Sequence, residues 1–205
     1  MSCLHILCAS LLLATAACAA PVAPPTEVAT AAASTAATPA TTGCAQSGRG
    51  ALRARVRGAL DLDLAWRNAE MLCEGGLRPD GRGLRIAIAG PEQGSGRRLR
   101  FVFGIDELGE GLAAAAKPVN LTLIFEGEQR LFATRGSDKC TIDELQQRRV
   151  GSLAGPKRAW EITARGFCTG PASSPATGER IVVSRFDFVA EVVFDGEAGA
   201  TLAGT

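Results

Sequence analysis

The chain is 205 residues long and has one histidine, no tyrosine, three lysines and a net charge of +1. The histidine, His5, lies in an apolar leader, so the rest of the chain has no imidazole. This excludes Ser-His-Asp and Cys-His catalytic systems, histidine-ligated metal sites and histidine-based pH switches from that part of the chain. A charge near zero also argues against nucleic acid as a partner, because neutralising several phosphates requires a surplus of basic residues. The sequence predicts no cofactor.

Residues 1–20 form an apolar run that ends in small residues and is too short to span a bilayer. This pattern is typical of a cleaved secretory signal. Within it, Thr15-Ala16-Ala17-Cys18 resembles a bacterial lipobox, in which a cysteine after small residues is acylated and becomes the new N-terminus. Two departures from that motif are Thr15 in place of the usual leucine and the lack of Lys and Arg ahead of it. The resemblance implies a signal peptide over 1–17 and lipidation at Cys18. The alternative is cleavage after Ala20, which would release a soluble protein.

Residues 19–42 contain ten alanines, six threonines, four prolines and a single charged residue, Glu27. Such a segment has too little apolar bulk to offset the entropy of ordering it, so the sequence predicts a disordered tether over 18–44. A low-complexity tail without a spacer role is the alternative. By resemblance to the sorting rules of Gram-negative lipoproteins, Ala19 after the cysteine implies the outer membrane, with the lipid bilayer as a partner through the anchor. A soluble periplasmic or secreted protein is the alternative.

Removal of the signal discards two cysteines, and beyond Cys18 four remain: Cys44, Cys73, Cys140 and Cys168. An even number in an exported chain favours disulfides, and no pair has the C-x-x-C spacing of a redox or zinc motif. Four cysteines allow three connectivities. We favour Cys44 with Cys73 and Cys140 with Cys168, which close loops of 29 and 28 residues. Cys44 is the least constrained of the four, because it lies at the junction with the tether.

The hydrophobic pattern from residue 45 to 196 has a period of two almost throughout, which indicates β-strands. In the first strand Leu52, Ala54 and Val56 alternate with arginines. Further strands are predicted around Leu84–Ile88, Leu99–Ile105, Val119–Phe125, Trp160–Ala164 and Phe186–Phe194. Turn residues separate them, and the clearest hairpin turns at Gly127. The sequence therefore predicts one all-β domain over 45–196, an antiparallel β-sandwich or a small β-barrel of about eight to ten strands with at most one short helix. Residues 197–205 are expected to form a flexible C-terminal tail.

Two local structures have competing predictions. The stretch from Leu52 to Trp66 fits one bent strand with Gly58 at the bend, or two strands joined by a three-residue turn that pairs Arg55 with Asp61; we favour the bent strand. Thr141-Ile142-Asp143-Glu144 matches a helix capping box, so residues 142–148 fit a short helix as well as a strand. Neither alternative changes the predicted fold class.

The acidic candidates for catalysis are sequence neighbours: Asp61 and Asp63, Asp106 and Glu107, Glu126 and Glu128, and Asp143 and Glu144. A glycoside hydrolase needs two carboxylates that face each other across a substrate, which neighbours on one strand or turn seldom provide. Asp61-Leu62-Asp63 also lacks the dense oxygen ligands of a calcium loop, and no glycine motif continues into a phosphate-binding pattern. We therefore predict no catalytic residues and no metal site.

Arginine is the compositional exception, with 19 residues against three lysines. Arg53, Arg55 and Arg57 share one face of a predicted strand, and a second cluster spans residues 97–100. Arginine binds phosphate and carboxylate groups through two parallel hydrogen bonds, so the first cluster is a candidate face for an anionic envelope component. The alternative is a solvated face in which the arginines pair with nearby aspartates.

Three stretches carry a resemblance to a known group of proteins: Asp138-Lys139-Cys140-Thr141-Ile142-Asp143-Glu144-Leu145, Ala164-Arg165-Gly166-Phe167-Cys168 and Phe186-Asp187-Phe188. In them the chain resembles uncharacterised exported lipoproteins of gammaproteobacteria, of the Xanthomonas and Lysobacter kind. The resemblance covers part of the predicted domain, implies that Cys140 pairs with Cys168, and implies no activity. We therefore expect a non-catalytic envelope lipoprotein that has a structural role or binds an envelope protein or an anionic envelope component. The alternatives are an inhibitor of a lytic enzyme and a hydrolase that uses paired carboxylates.

Overall fold

The computed structural model describes residues 43–152 and 157–195. They form eleven β-strands and one 3-10 turn, Asn68–Glu70. The strands are β1 (Ala51–Gly58), β2 (Leu62–Arg67), β3 (Leu72–Leu77), β4 (Leu84–Ala89), β5 (Arg98–Ile105), β6 (Lys117–Glu126), β7 (Arg130–Ala133), β8 (Cys140–Ser152), β9 (Arg158–Cys168), β10 (Ala172–Ser173) and β11 (Arg180–Phe194). No helix among the described residues is long and apolar enough to cross a membrane.

Several predictions made from the sequence fall on other parts of the chain. The lipidation site at Cys18, the signal peptide over 1–17 and the tail over 197–205 lie outside the described residues. The same holds for the tether over 18–44, except for its last two residues, Gly43 and Cys44.

The strands have the alternation that the sequence predicts. Leu52, Ala54 and Val56 of β1 are buried, whereas Arg53 and Arg55 between them are exposed. With the same period, every second residue is buried along the whole of β5 and along most of β11. One face of each strand therefore contributes to a core while the other meets solvent.

All ladders between the strands are antiparallel, and together they join the eleven strands into one sheet. β3 to β7 form a meander in which each strand pairs with the next. β11 pairs with β1 on one side and with β9 on the other, and β9 pairs with β8. β8 then returns to β6, so the meander and the β11 region are also joined through this route. The predicted all-β antiparallel class is confirmed, with eleven strands.

The sheet curls so that β5 faces β11 across the core. The ring of Phe103 in β5 lies 5.1 Å from that of Phe186 and 4.7 Å from that of Phe188, both in β11. Phe101 continues this cluster and makes an edge contact with Trp66 of β2 at 5.8 Å. These aromatic contacts join the two sides of the core, which lies on the inner face of the curled sheet and is otherwise mostly aliphatic.

Two disulfides join the cysteines in the predicted pairs, Cys44 with Cys73 and Cys140 with Cys168. Cys140 and Cys168 are directly opposite each other on β8 and β9. Cys44 is 2% exposed, and its bond to Cys73 fixes the segment ahead of β1 to β3. Cys44 is therefore part of the folded core, although the sequence places it at the end of the tether.

The bent strand predicted over Leu52 to Trp66 is wrong, because the chain reverses there and forms the β1–β2 hairpin. The connection is three residues long, as in the alternative prediction, but its register pairs Arg55 with Asp63 and not with Asp61. Gly58 ends β1 with φ +117°, where a Cβ would lie 2.7 Å from the carbonyl oxygen of Arg180. The hairpin thus turns beside a glycine that no other residue could replace without a clash.

The open choice over residues 142–148 is settled as a strand. β8 pairs with β9 along most of its length, with two register shifts at bulges. This long ladder buries Ile142 and Leu145 in the core, and tertiary pairing overrides the local capping signal. The hairpin predicted at Gly127 is confirmed, since it joins β6 to β7.

Candidate functional site

A row of charged side chains crosses the outer face of the sheet over β1, β11, β9 and β8. The register places Arg53 opposite Asp187, Asp187 opposite Arg165, and Arg165 opposite Glu144. Side chains at directly opposite positions of antiparallel strands are neighbours on one face. We call these four residues the charged row; their charges alternate in sign from one strand to the next.

An uncharged row lies beside the charged row, displaced by two residues along each strand. Ala51 is opposite Val189, Val189 is opposite Thr163, and Thr163 is opposite Gln146. The two rows together line an open groove of about 290 Å³. We call the uncharged row the floor of the groove and the charged row its rim; because the groove is open, it is a shallow surface for contact and not an enclosed chamber.

Beyond the uncharged row, a loop that we call the N-terminal strap (residues 44–50) lies over the outer face. Asn68 Oδ1 accepts hydrogen bonds from the backbone N–H groups of Cys44, at 3.0 Å, and of Ala45, at 2.8 Å. Gln46 donates to both carboxylate oxygens of Glu191 through its backbone N–H and its side-chain amide, each at 3.0 Å. The disulfide at Cys44 and these hydrogen bonds fix the strap at one end of the groove region.

The strap buries the carboxylate of Glu161, which is only 3% exposed although it belongs to the outer face of β9. Ser47 and Arg49 of the strap donate hydrogen bonds to it, and Arg148 of β8 donates a third at 3.1 Å. Burial alone raises the pKa of Glu161, but these hydrogen bonds and the positive charge of Arg148 outweigh it and lower the pKa below its ordinary value. Glu161 is therefore a buried anion that binds the strap to the sheet.

Replacing Glu161 with glutamine is expected to lower the free energy of unfolding at pH 7 by about 2 kcal/mol, because charge-assisted hydrogen bonds are lost at unchanged volume. The loss depends on pH. A carboxylate whose pKa is lowered in the folded state stabilises the fold above its ordinary pKa of 4.5, and this contribution disappears as the pH falls through the lowered value. The gap between wild type and E161Q should therefore close in acid, as measured by urea unfolding from pH 7 to pH 3.

The matched control is E128Q, which removes an exposed carboxylate that lies 3.8 Å from Arg97. Exposed pairs of this kind contribute between about 0 and 1 kcal/mol, so E128Q should stay near wild type. A gap between wild type and E161Q that stays constant over the whole pH range would contradict the anionic role of Glu161.

All five carboxyl groups among the described residues whose pKa departs from its ordinary value have a lowered pKa: Asp63, Glu92, Glu110, Glu161 and Glu179. For Glu110 the main cause is the hydrogen bonds from Arg158, at 2.6 and 2.7 Å, with a further one from the Trp160 indole at 2.8 Å. A general acid needs the opposite shift, so that it keeps its proton near neutral pH. These five groups act as anionic partners of arginine, serine, threonine, tryptophan and backbone donors.

The three arginines of the predicted anionic-ligand face, Arg53, Arg55 and Arg57, lie on one face of β1 as expected. However, Asp63 accepts hydrogen bonds from two of them, Arg57 at 2.9 Å and Arg55 at 3.2 Å. These bonds lower the pKa of Asp63, the bond from Arg57 being the largest cause. The face is therefore mixed in charge, and only Arg53 faces the groove.

The second arginine cluster, residues 97–100, is also paired with carboxylates. Arg98 lies 2.8 Å from Glu92, and Arg100 lies 2.5 Å from Glu126. Arg97 makes the longer contact with Glu128 described above. This cluster therefore belongs to local ion pairs around the β4–β5 and β6–β7 turns.

Sequence reasoning does not identify Asp187 or Arg165 as site residues, and it considers Glu144 only as a neighbour of Asp143 that is unsuited to catalysis. Asp187, Arg165 and Glu144 alternate with buried residues on their strands, and this alternation predicts only that they are exposed. Their meeting depends on β11 lying between β1 and β9, a long-range pairing that no local pattern encodes. Among the described residues no group of three or more His, Cys, Asp or Glu side chains is placed to hold a metal ion. The chain matches no protein-family model, no curated protein and no solved structure.

Proposed function

We propose that the protein is an exported, non-catalytic binding module of the bacterial cell envelope, anchored at the outer membrane through acylated Cys18. The apolar leader, the lipobox resemblance and the two disulfides support this proposal, because disulfides persist in oxidising compartments. The intact mass of the exported chain checks the anchor. An acylated chain that begins at Cys18 is expected, whereas an unmodified chain that begins at Pro21 would replace the anchored form with a soluble one.

In this proposal the groove binds a polypeptide partner, and the alternating charge of its rim is the observation that carries the idea. A polyanion would meet Asp187 and Glu144 as well as the two arginines, so the row does not suit a uniformly negative ligand. A polypeptide surface has charges of both signs and uncharged segments, and complementary charges at an interface fix orientation and specificity. The uncharged floor beside the row offers the apolar contact.

Arg53 is the residue of the charged row that is free to bind such a partner. It is exposed, and its side chain makes no hydrogen bond or ion pair with another described residue. The other members are engaged: Arg165 lies 2.8 Å from Glu144, and Asp187 lies 3.3 Å from Arg185. We therefore assign Arg53 the role of binding a carboxylate of the partner.

The experiment that tests this function is photo-crosslinking in intact cells, with a photoreactive residue at Thr163 on the groove floor. One adduct of defined mass is expected at Thr163 and none with the photoreactive residue at Ser95, an exposed turn position. The R53Q variant should reduce the yield at Thr163 about tenfold, which corresponds to the loss of a charge-assisted contact. R82Q, at another exposed arginine, should leave the yield unchanged.

Two results would contradict the proposal. The first is a yield at Thr163 that does not respond to R53Q, which would remove the groove from the interaction. The second combines two observations. No protein adduct forms in cells, and the purified chain binds vesicles that contain anionic lipid whereas the R53Q variant does not. That result would establish the anionic envelope component as the ligand.

A further inference from the structure

The sheet path ends at two strands, β2 and β3, and they differ in how their outer edges are covered. At β3, Gly43 forms a parallel bridge with Leu72 on the side away from β4, and the bond between Cys44 and Cys73 holds the same segment there. β2 pairs with β1 and with no other strand of the described residues. An edge of this kind offers backbone N–H and C=O groups to another strand.

The sequence of this edge is complementary to itself when two copies run antiparallel about Leu64. Asp61 then lies opposite Arg67 of the second copy, and Arg67 opposite the second Asp61. On the inner face Leu62 lies opposite Trp66, and Leu64 meets its own equivalent on the twofold axis. The remaining pair sets Asp63 opposite Ala65, whose small side chain leaves room for the existing contacts of Asp63 with arginine. Opposite charges and aromatic–aliphatic neighbours are the cross-strand pairs that stabilise antiparallel ladders.

The charged side chains at the two ends of this segment form no ion pair with the rest of the described residues, although the backbone N–H of Arg67 donates to Glu70 at 2.7 Å. Asp61 and Arg67 are exposed, and neither makes an ion pair with another described residue. In its own sheet Arg67 is opposite Ala51, which offers no charge. Leu62, Leu64 and Trp66 are only half-buried, so the inner side of the edge also has apolar surface left to cover.

We propose that two copies of this chain associate through β2, with the segment Asp61–Arg67 paired antiparallel to its equivalent about a twofold axis at Leu64. The interface is isologous, so the Asp61–Arg67 and Leu62–Trp66 pairs each occur twice and the Leu64 pair on the axis occurs once. The pairing would extend the sheet of one copy into that of the other. It would also pair the free backbone groups of β2. Bulges and prolines often protect such an edge from other strands, but β2 contains no proline and its register with β1 has no bulge.

Charge reversal at the two ends of the segment tests this arrangement, because neither side chain has an ion pair within the described part of the chain that the substitution would break. The full chain is exported and purified, in detergent if it carries acyl chains, and its association is measured by sedimentation velocity over a range of concentrations. Wild type should dimerise. D61R and R67D should each weaken dimerisation about tenfold, since two attractive pairs become two repulsive ones. The double variant D61R/R67D should restore the dimer, because the pair is regained with its charges exchanged.

The matched control is R82D, which changes the net charge as R67D does at an exposed position away from β2. It should dimerise like wild type, which separates a contact at β2 from a general effect of charge or detergent. The unfolding midpoint of each variant confirms that the fold is kept. A monomeric wild type, single variants that dimerise like wild type, or a double variant no better than the singles would each overturn the proposal. If β2 pairs with a strand of another protein and not with a second copy, the purified wild type will be monomeric.

Discussion

An F103A variant is expected to lose about 3–5 kcal/mol of unfolding free energy, a large part of the total stability of a domain of this size. The Phe103 side chain is fully buried, and its ring contacts Phe101 at 6.1 Å in addition to Phe186 and Phe188. It therefore lies where β5 and β11 meet across the core. Truncation removes apolar contacts with β11 and with Phe101, and it leaves a cavity that the hydrogen-bonded strands around it have little freedom to fill.

Urea unfolding of wild type, F103A and F167A measures this effect with a matched control. Phe167 is the same residue type on β9, but it is 36% exposed and points away from the core. F167A should cost about 1–2 kcal/mol, less than F103A, because it loses partly covered surface and opens no cavity in the core. If F103A and F167A lose similar free energies of unfolding, Phe103 is not the contact that joins β5 to β11 across the core.

The inner faces of the central strands could be predicted from the sequence because alternation is a local signal. The predicted stretches Leu84–Ile88, Leu99–Ile105 and Val119–Phe125 lie within β4, β5 and β6, and the predicted inward residues are buried except Phe125, which is half-buried. Each buried residue is two positions from the next, and this spacing alone decides which face is apolar. The all-β class follows from the same signal repeated along the chain.

The sequence pattern does not predict β3, because the residues of this strand also have to allow close packing against β11. Leu72–Leu77 contains Glu74, Gly75 and Gly76, which hide the alternation and are poor strand formers. The contact of β3 with β11 explains Gly75, since any side chain there would collide with Val192. A close approach between distant segments thus selects a residue that weakens the local signal for a strand.

The candidate site depends on distances along the chain that sequence patterns do not report. Arg53 and Asp187 are far apart in sequence, and their row exists only because β11 lies beside β1. Glu161 shows the same limit in another way. Alternation correctly predicts that it points away from the core, but its burial comes from the strap, which the disulfide at Cys44 places over the outer face.

Removing the disulfide between Cys44 and Cys73 is expected to lower the unfolding free energy by about 3–4 kcal/mol and also to release the strap. The C44A/C73A variant loses the covalent link that keeps residues 44–50 over Glu161. Native-state hydrogen exchange should then accelerate at the amides of Ala45 and Gln46, whose hydrogen bonds to Asn68 and Glu191 close only when the strap is docked.

The chain offers a control of nearly the same size, C140A/C168A. The two disulfides close loops of 29 and 28 residues, so their effects on the entropy of the unfolded chain are almost equal. Cys140 and Cys168 join strands that an extended ladder already pairs, and removing their bond should lower global stability without changing exchange in the strap. If the strap amides of C44A/C73A exchange as slowly as those of C140A/C168A, the hydrogen bonds to Asn68, Glu191 and Glu161 hold the strap on their own. The disulfide at Cys44 then acts on the unfolded chain alone.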